Sequence, residues 1–304
     1  MGLDQIVFVF LIVFAVRAVF ASCLRHAIIT SGVFGLFASL AYLLYHAPDV
    51  AVSEAVVASS LGTVLLILTI RNYDDVSVPG IPRMIWHRKG ADLLMLGGAA
   101  LVLFLTSQTP QVPVAPLKDA VMGAYLSSGG AVNPVTTILL HYRVFDTVLE
   151  ALMLLIAVLG VVHLSDGRGG KGGDYGSVVR LHPTMVTSLR MLTPVLIIAG
   201  VALIVGDPHT PGGGFQGAGL LAAVIVSRYL VGRRGPASTS GLETLEKVIF
   251  VVFVLSVAAY VFAGFTPLTG DASPVFMIAM NGLLGVKVFC GLSIMFLYFA
   301  QESR

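Results

Sequence analysis

Charge is what this chain has least of. Only 11% of its 304 residues are Asp, Glu, Lys or Arg, against roughly a quarter in a soluble domain. Hydrophobic residues make up 57% and mean hydropathy is +0.93, so the chain needs a non-aqueous solvent. The net charge of +2 comes without a Lys/Arg-rich tract interleaved with aromatics, which argues against nucleic acid as a partner. Cys23 and Cys290 match no ligand spacing and read as small packing residues. No Cys or His set suits a cluster, a haem or another bound cofactor. The first apolar run lacks the basic residues that open a secretory signal, and reads as a retained helix.

A bilayer core takes roughly 17–25 apolar residues per helix. By that ruler the chain is all-α and polytopic, with about nine transmembrane helices near 4–21, 27–45, 50–70, 91–107, 146–164, 186–206, 214–231, 247–264 and 275–299. Each has to be helical, because a segment in lipid must satisfy its own backbone hydrogen bonds. Basic residues favour the cytoplasmic side. With the N-terminus outside, the inside segments hold Arg25, Arg71, Arg83, Arg88, Lys89, Arg168, Lys171, Arg180, Arg228, Arg233, Arg234 and Arg304, and the outside segments only Lys118 and Arg143. The expectation is therefore an outer N-terminus, a cytoplasmic C-terminus and a multi-pass place in the cell (inner) membrane.

Two long inner loops divide the chain. One, Arg71 to Gly90, carries Pro79 and Pro82; the other, Ser165 to His182, carries a glycine-rich run of the kind that makes flexible connectors. They cut it into units of three, two and four helices over 1–89, 90–180 and 181–304. The outer segment from Thr106 to Tyr142 contains Val121–Leu126 beside Ser127-Ser128-Gly129-Gly130, which reads either as a short re-entrant helix or as a plain loop.

Three ionisable residues stand inside apolar spans: Glu54, Glu150 and Lys287. Such residues usually face a protein interior or a wet path, where they handle ions. Asp49 and Asp146 precede the two glutamates at helix starts, where acids also complement the helix dipole. Glu54 lies five residues beyond Asp49, about 7 Å deeper at ~1.5 Å per residue, which the dipole explains less well. Lys287 sits near the middle of the last span among Gly282, Gly285 and Gly291; its alternative reading is a structural ion pair with a carboxylate of another helix. Arg17, His163 and Arg190 lie nearer span ends, where snorkelling to the surface accounts for them. Between the sixth and seventh spans, Pro211-Gly212-Gly213-Gly214-Phe215 offers a tightly bent backbone whose N–H and C=O groups can face an ion, or else a tight helix entry. It lacks the Gly-Lys-Ser/Thr ending of a phosphate loop. Asp207 and His209 are weak metal candidates, and no metal site is expected.

Three passages resemble one family. Ala47-Pro48-Asp49-Val50-Ala51-Val52-Ser53-Glu54-Ala55 resembles the C-terminal region of the A subunit of Mrp-type multisubunit Na+/H+ antiporters and the D subunit of membrane-bound hydrogenases. Tyr142-Arg143-Val144-Phe145-Asp146-Thr147-Val148-Leu149-Glu150 resembles the next block of that A subunit, the hydrogenase E subunit. The Pro211–Gly217 motif, with Gly241-Leu242-Glu243, resembles the antiporter B subunit, the hydrogenase F subunit. Val144 and Leu149 stand where members often have glycine. The resemblance implies a fused, cation-translocating module within a larger assembly, moving Na+ and H+ with other antiporter-like membrane subunits. Acids at the positions of Glu54 and Glu150 would line a lateral ion path, with Lys287 setting their pKa or gating it. Alternative readings are the ion-pumping arm of a ferredoxin-linked hydrogenase or sulfur reductase, with hydrogenase-type redox subunits as partners, and a purely structural scaffold in the bilayer. None gives the chain a catalytic centre of its own.

Overall fold

A computed structural model describes residues 2–70, 133–166, 182–230, 239–262 and 272–301, with a few isolated positions between them. The fourth expected span and Val121–Leu126 lie outside these residues, apart from isolated positions. Every regular element among them is helical, and six helices are long and apolar enough to cross a membrane.

Helices α1 (Leu3–Val19) and α2 (Leu24–Leu44) form a hairpin closed by aromatic contacts, Phe37 stacking on Phe10 and Phe14 at 5.1 and 5.2 Å. His46 reverses the chain with φ +57°, and Pro48 opens α3 at its first turn, where the missing N–H costs nothing. α3 runs from Pro48 to Ile70, but from Glu54 to Gly62 it widens to π geometry. The hydroxyls of Ser59 and Ser60 both donate to the Ala55 carbonyl, at 3.0 and 2.7 Å, drawing that carbonyl out of its usual ladder. Gly32 and Gly35 let α2 lie against this segment: a Cβ at Gly35 would stand 2.8 Å from Ser59 Cβ.

A short helix, α4 (Pro134–Thr137), continues into a wide turn (Ile138–Tyr142) and leads to α5 (Val144–Asp166). Then come α6 (Pro183–Gly206), α7 (Gly214–Leu230), α8 (Ser240–Phe262) and α9 (Ala272–Gln301). α1 and α7, at 17 residues each, stand at the short end of what a span needs. α9 is the hub. It packs on α5, α6, α7 and α8 and meets the end of α3. One core cluster gathers Met280, Leu284 and Val288 of α9 with Val144, Ala218, Phe253 and Val257; the other gathers Phe296 and Leu297 with Leu61, Ala222 and Val226. The outward faces stay apolar, as in Met153, Met191, Ile198 and Leu255, which suits contact with lipid or partner helices.

Candidate functional site

The polar groups of the described residues gather at two levels of α9. The first is where α3 begins and α6 turns into α7. Asp49, buried in the first turn of α3, accepts hydrogen bonds from the Gly212 N–H (2.9 Å) and from Asn133 Nδ2 (3.3 Å). Asn133 also caps α4, accepting from the Val135 N–H at 3.0 Å, and its own N–H reaches the Pro208 carbonyl at 2.9 Å. Thr136 Oγ1 donates to the Asp207 carbonyl at 3.0 Å, and Asn281 Nδ2 of α9 donates to the Asp207 carboxylate. Gln216 Nε2 reaches Ser53 Oγ at 2.7 Å. Residues of the first and third stretches distinguished in the sequence meet here, joined by Asn133 and Thr136 of the α4 turn.

The glycines explain how they fit. A Cβ at Gly212 would lie 2.5 Å from the Leu203 carbonyl oxygen, and Gly213 holds φ +145°, a region L side chains rarely adopt. The start of α7 presses on α9 so closely that a Cβ at Gly214 would stand 2.8 Å from the Asn281 carbonyl oxygen. The bent backbone does present an N–H group to a charge, and the charge is the carboxylate of Asp49. Pro211 is exposed and Phe215 packs against the core cluster. Burial pushes the Asp207 carboxyl up to about 6; the Thr136 and Asn281 side chains pull it back, and the nearby Asp49 charge raises it. His209 is exposed, and no group of three or more metal-ligating side chains forms among the described residues.

The second level is the interior of α9. Lys287, fully buried, pairs with Glu246 of α8, Nζ to Oε1 at 3.1 Å. Glu246 is equally buried, and the Lys287 ammonium also faces the Phe250 ring at 5.9 Å. The partner of Lys287 is thus neither Glu54 nor Glu150. Three residues before Glu246, half-buried Glu243 accepts from Tyr298 Oη at 2.9 Å.

The two membrane glutamates stand apart from both levels. Glu54 opens the π segment of α3, half-buried, its carboxylate against Gly35 of α2; π segments recur at functional sites. Glu150 lies on the exposed face of α5 with Leu149, Met153 and Ile156. Asp146, one turn earlier, pairs with Arg143 at 2.5 Å on the surface, an arrangement worth little energetically. His141, its imidazole held below the ordinary value by burial, bonds Tyr260 of α8. Arg17, His163 and Arg190 are exposed.

Sequence reasoning missed Glu246, Asn133 and Asn281 and saw Asp207 only as a weak ligand. Asparagines carry no signal in an apolar count. Glu246 did carry one: Ser240-Gly241-Leu242-Glu243 before an apolar run is the pattern of a capped helix start, which puts Glu246 inside α8.

Comparison with known proteins agrees with this architecture. The family described as the D subunit of MBH matches residues 9–75, and the family described as a domain related to the MnhB subunit of Na+/H+ antiporter matches residues 184–300. Putative antiporter subunit mnhA2 of Staphylococcus aureus (strain JH9) is 29% identical over 153 residues, 48% of this chain; the chain spans only 18% of that relative's length. Among solved structures, the Mrp complex from Dietzia sp. DQ12-45-1b aligns with 97% of this chain and 35% of its own at TM-score 0.73 and 20% identity. The archaeal membrane-bound sulfane sulfur reductase aligns with 67% of this chain and 95% of its own, at TM-score 0.52 and 24% identity. These two share its fold. The chain is accordingly a polytopic membrane protein in which a segment matching the family of the MBH D subunit is joined to a domain matching the MnhB-related family.

Proposed function

We propose that this chain is a membrane subunit of a multisubunit cation/proton antiporter and contributes to Na+/H+ translocation across the cell (inner) membrane. The observation that carries the reading is a carboxylate, Glu54, set in a π segment inside a membrane helix, in a chain with a domain matching the MnhB-related family. Glu54 and Glu150 hand on the cation, and Lys287 tunes the path. Asp49, Asp146 and the Pro211–Phe215 loop shape its surroundings. Since Glu150 opens on the exposed face of α5, and an unpaired carboxylate facing lipid is costly, that face meets another antiporter-like membrane subunit. The topology consistent with the basic residues has nine spans, an outer N-terminus and a cytoplasmic C-terminus. The three units are residues 1–89, 90–180 and 181–304, resembling the D, E and F hydrogenase subunits.

Replacing Glu54 or Glu150 by Gln, with Na+/H+ exchange measured in vesicles holding the complete complex, tests the reading. Exchange should fall at least tenfold, and unchanged exchange with normal assembly removes that residue from the path. The match to the MBH family favours a second reading, the ion-pumping arm of a redox complex. Proteins copurifying in mild detergent separate the two: cluster-bearing or nickel-binding partners favour the redox arm, antiporter-like subunits alone the antiporter.

A further inference from the structure

The end of the bundle opposite the Asp49 clamp carries positive charge. Arg17 and Arg25 lie where α1 turns into α2, Arg190 in the first half of α6, Arg228 near the end of α7 and Lys247 near the start of α8, all of them exposed. Glu243, at the same end, is taken up by the Tyr298 hydroxyl. The general bias of basic residues to one side of a membrane explains the sign of this end. It does not explain where two of the arginines stand.

α6 and α7 run antiparallel in close contact. A Cβ at Gly200 would lie 2.9 Å from both the Gly217 carbonyl oxygen and Leu221 Cγ. Arg190 stands ten residues back along α6 from Gly200, and Arg228 eleven residues on along α7 from Gly217. At ~1.5 Å per residue each is about 15 Å from the crossing, so the two stand level. Eleven residues make close to three turns, which returns Arg228 to the side of α7 that Gly217 turns toward α6. That level is a membrane boundary. α7 ends two residues later, at Leu230, and Tyr229 packs edge-on against Phe296 there, aromatic residues being common where lipid meets water. Among the described residues neither guanidinium has a carboxylate partner. Pro194 lies inside α6 and leaves the Arg190 carbonyl without its helical donor. Toward the middle of the bilayer, Ile197 and Val201 follow Arg190 on one stripe of α6, 43% and 47% exposed.

We propose that Arg190 and Arg228 together hold the phosphodiester of one anionic phospholipid at the seam of α6 and α7. A headgroup hydroxyl donates to the Arg190 carbonyl, and an acyl chain lies along Ile197 and Val201. A guanidinium offers a planar fork of donors that matches phosphate oxygens. Two like charges held level repel each other, and an anion between them turns that repulsion into attraction. Basic pockets between membrane helices bind headgroups of this kind. The occupant is a lipid rather than a soluble anion, because apolar surface continues directly from the two charges toward the bilayer interior. The site does not depend on which cation the complex moves.

The full chain in mild detergent, titrated with phosphatidylglycerol and weighed by native mass spectrometry, tests the site. One lipid should be retained more tightly than the rest, and R190Q/R228Q should weaken its retention at least tenfold. R17Q/K247Q removes the same charge from the same end and should leave that lipid in place. If R17Q/K247Q weakens retention as much as R190Q/R228Q does, the attraction is diffuse and the site is refuted. Phosphatidylcholine retained as tightly as phosphatidylglycerol refutes it too, since the zwitterion carries no net charge. Inorganic phosphate at millimolar concentration should not displace the lipid; displacement would make this a site for free anions and overturn the assignment to lipid. Circular dichroism reports whether each variant folds. Should R190Q/R228Q not fold, R190Q alone decides: retention falling at least threefold supports the site, and unchanged retention overturns it.

Discussion

Asp49→Ala should loosen the junction of α3 with the α6–α7 connector, by an amount that the structure lets one work out. The carboxylate is 9% exposed and accepts two hydrogen bonds, from the Gly212 N–H at 2.9 Å and from Asn133 Nδ2 at 3.3 Å. Hydrogen bonds to a charged group contribute roughly 1.5–3 kcal/mol each; the longer one sits at the weak end. Truncation also strands the buried Gly212 N–H, which a Cβ-tight fit against Leu203 keeps from water. Some relaxation offsets this, leaving a net loss of about 3 kcal/mol. Asp49→Asn keeps one acceptor oxygen for Gly212 and gives up only the charge assistance, so its cost should be about half. The assay is SDS-induced unfolding of the full chain in mixed micelles, followed by circular dichroism. An Ala variant within about 0.5 kcal/mol of the unaltered protein, or an Asn variant as costly as Ala, refutes the clamp.

Two more outcomes follow from the same region. Asp207, pushed up to about 6 in the folded chain from an ordinary 3.8, binds more protons folded than unfolded between those values, so stability should fall as pH rises from 4 to 6 and then level off. The gain on acidification is on the order of 2 kcal/mol, read from unfolding curves across pH, and Asp207→Asn should flatten it. Gly217→Ala should cost roughly 1–3 kcal/mol, because its Cβ would overlap the Gly200 carbonyl oxygen and Ile204 of α6, whereas Gly160→Ala in α5 meets nothing within 4 Å and should gain up to about 1 kcal/mol. Both are read by the same unfolding assay, and equal effects would refute the close crossing of α6 and α7.

Helices α1, α2, α3, α5, α6, α7 and α9 were legible because lipid solvation demands long apolar runs, and such runs are visible without knowing any contact. Their starts were less so. α8 begins at Ser240 rather than near residue 247, since helix ends are set by capping and connector chemistry rather than by hydropathy. That shift of two turns hid Glu246 and with it the partner of Lys287. The widening of α3 at Glu54, within which Ser59 and Ser60 share the Ala55 carbonyl, left no trace in an apolar count either.

The position of Asp49 shows why charge alone reads a site poorly. In the sequence it was an acid in a first turn, where the helix dipole suffices to explain it. Folded, it is also the acceptor for a backbone N–H 163 residues away, on the far side of two connectors. One charge-assisted bond between separate chains would be too weak to hold them. Within one polypeptide the closure entropy grows only slowly with loop length, so the tethered junction needs few bonds to persist. The glycines after Pro211 then serve the clamp: Gly212 and Gly213 allow the approach, and Asp49 fixes it. Glycine-to-alanine changes there and the loss of the Asp49 carboxylate should accordingly be less than additive, because each removes the same contact.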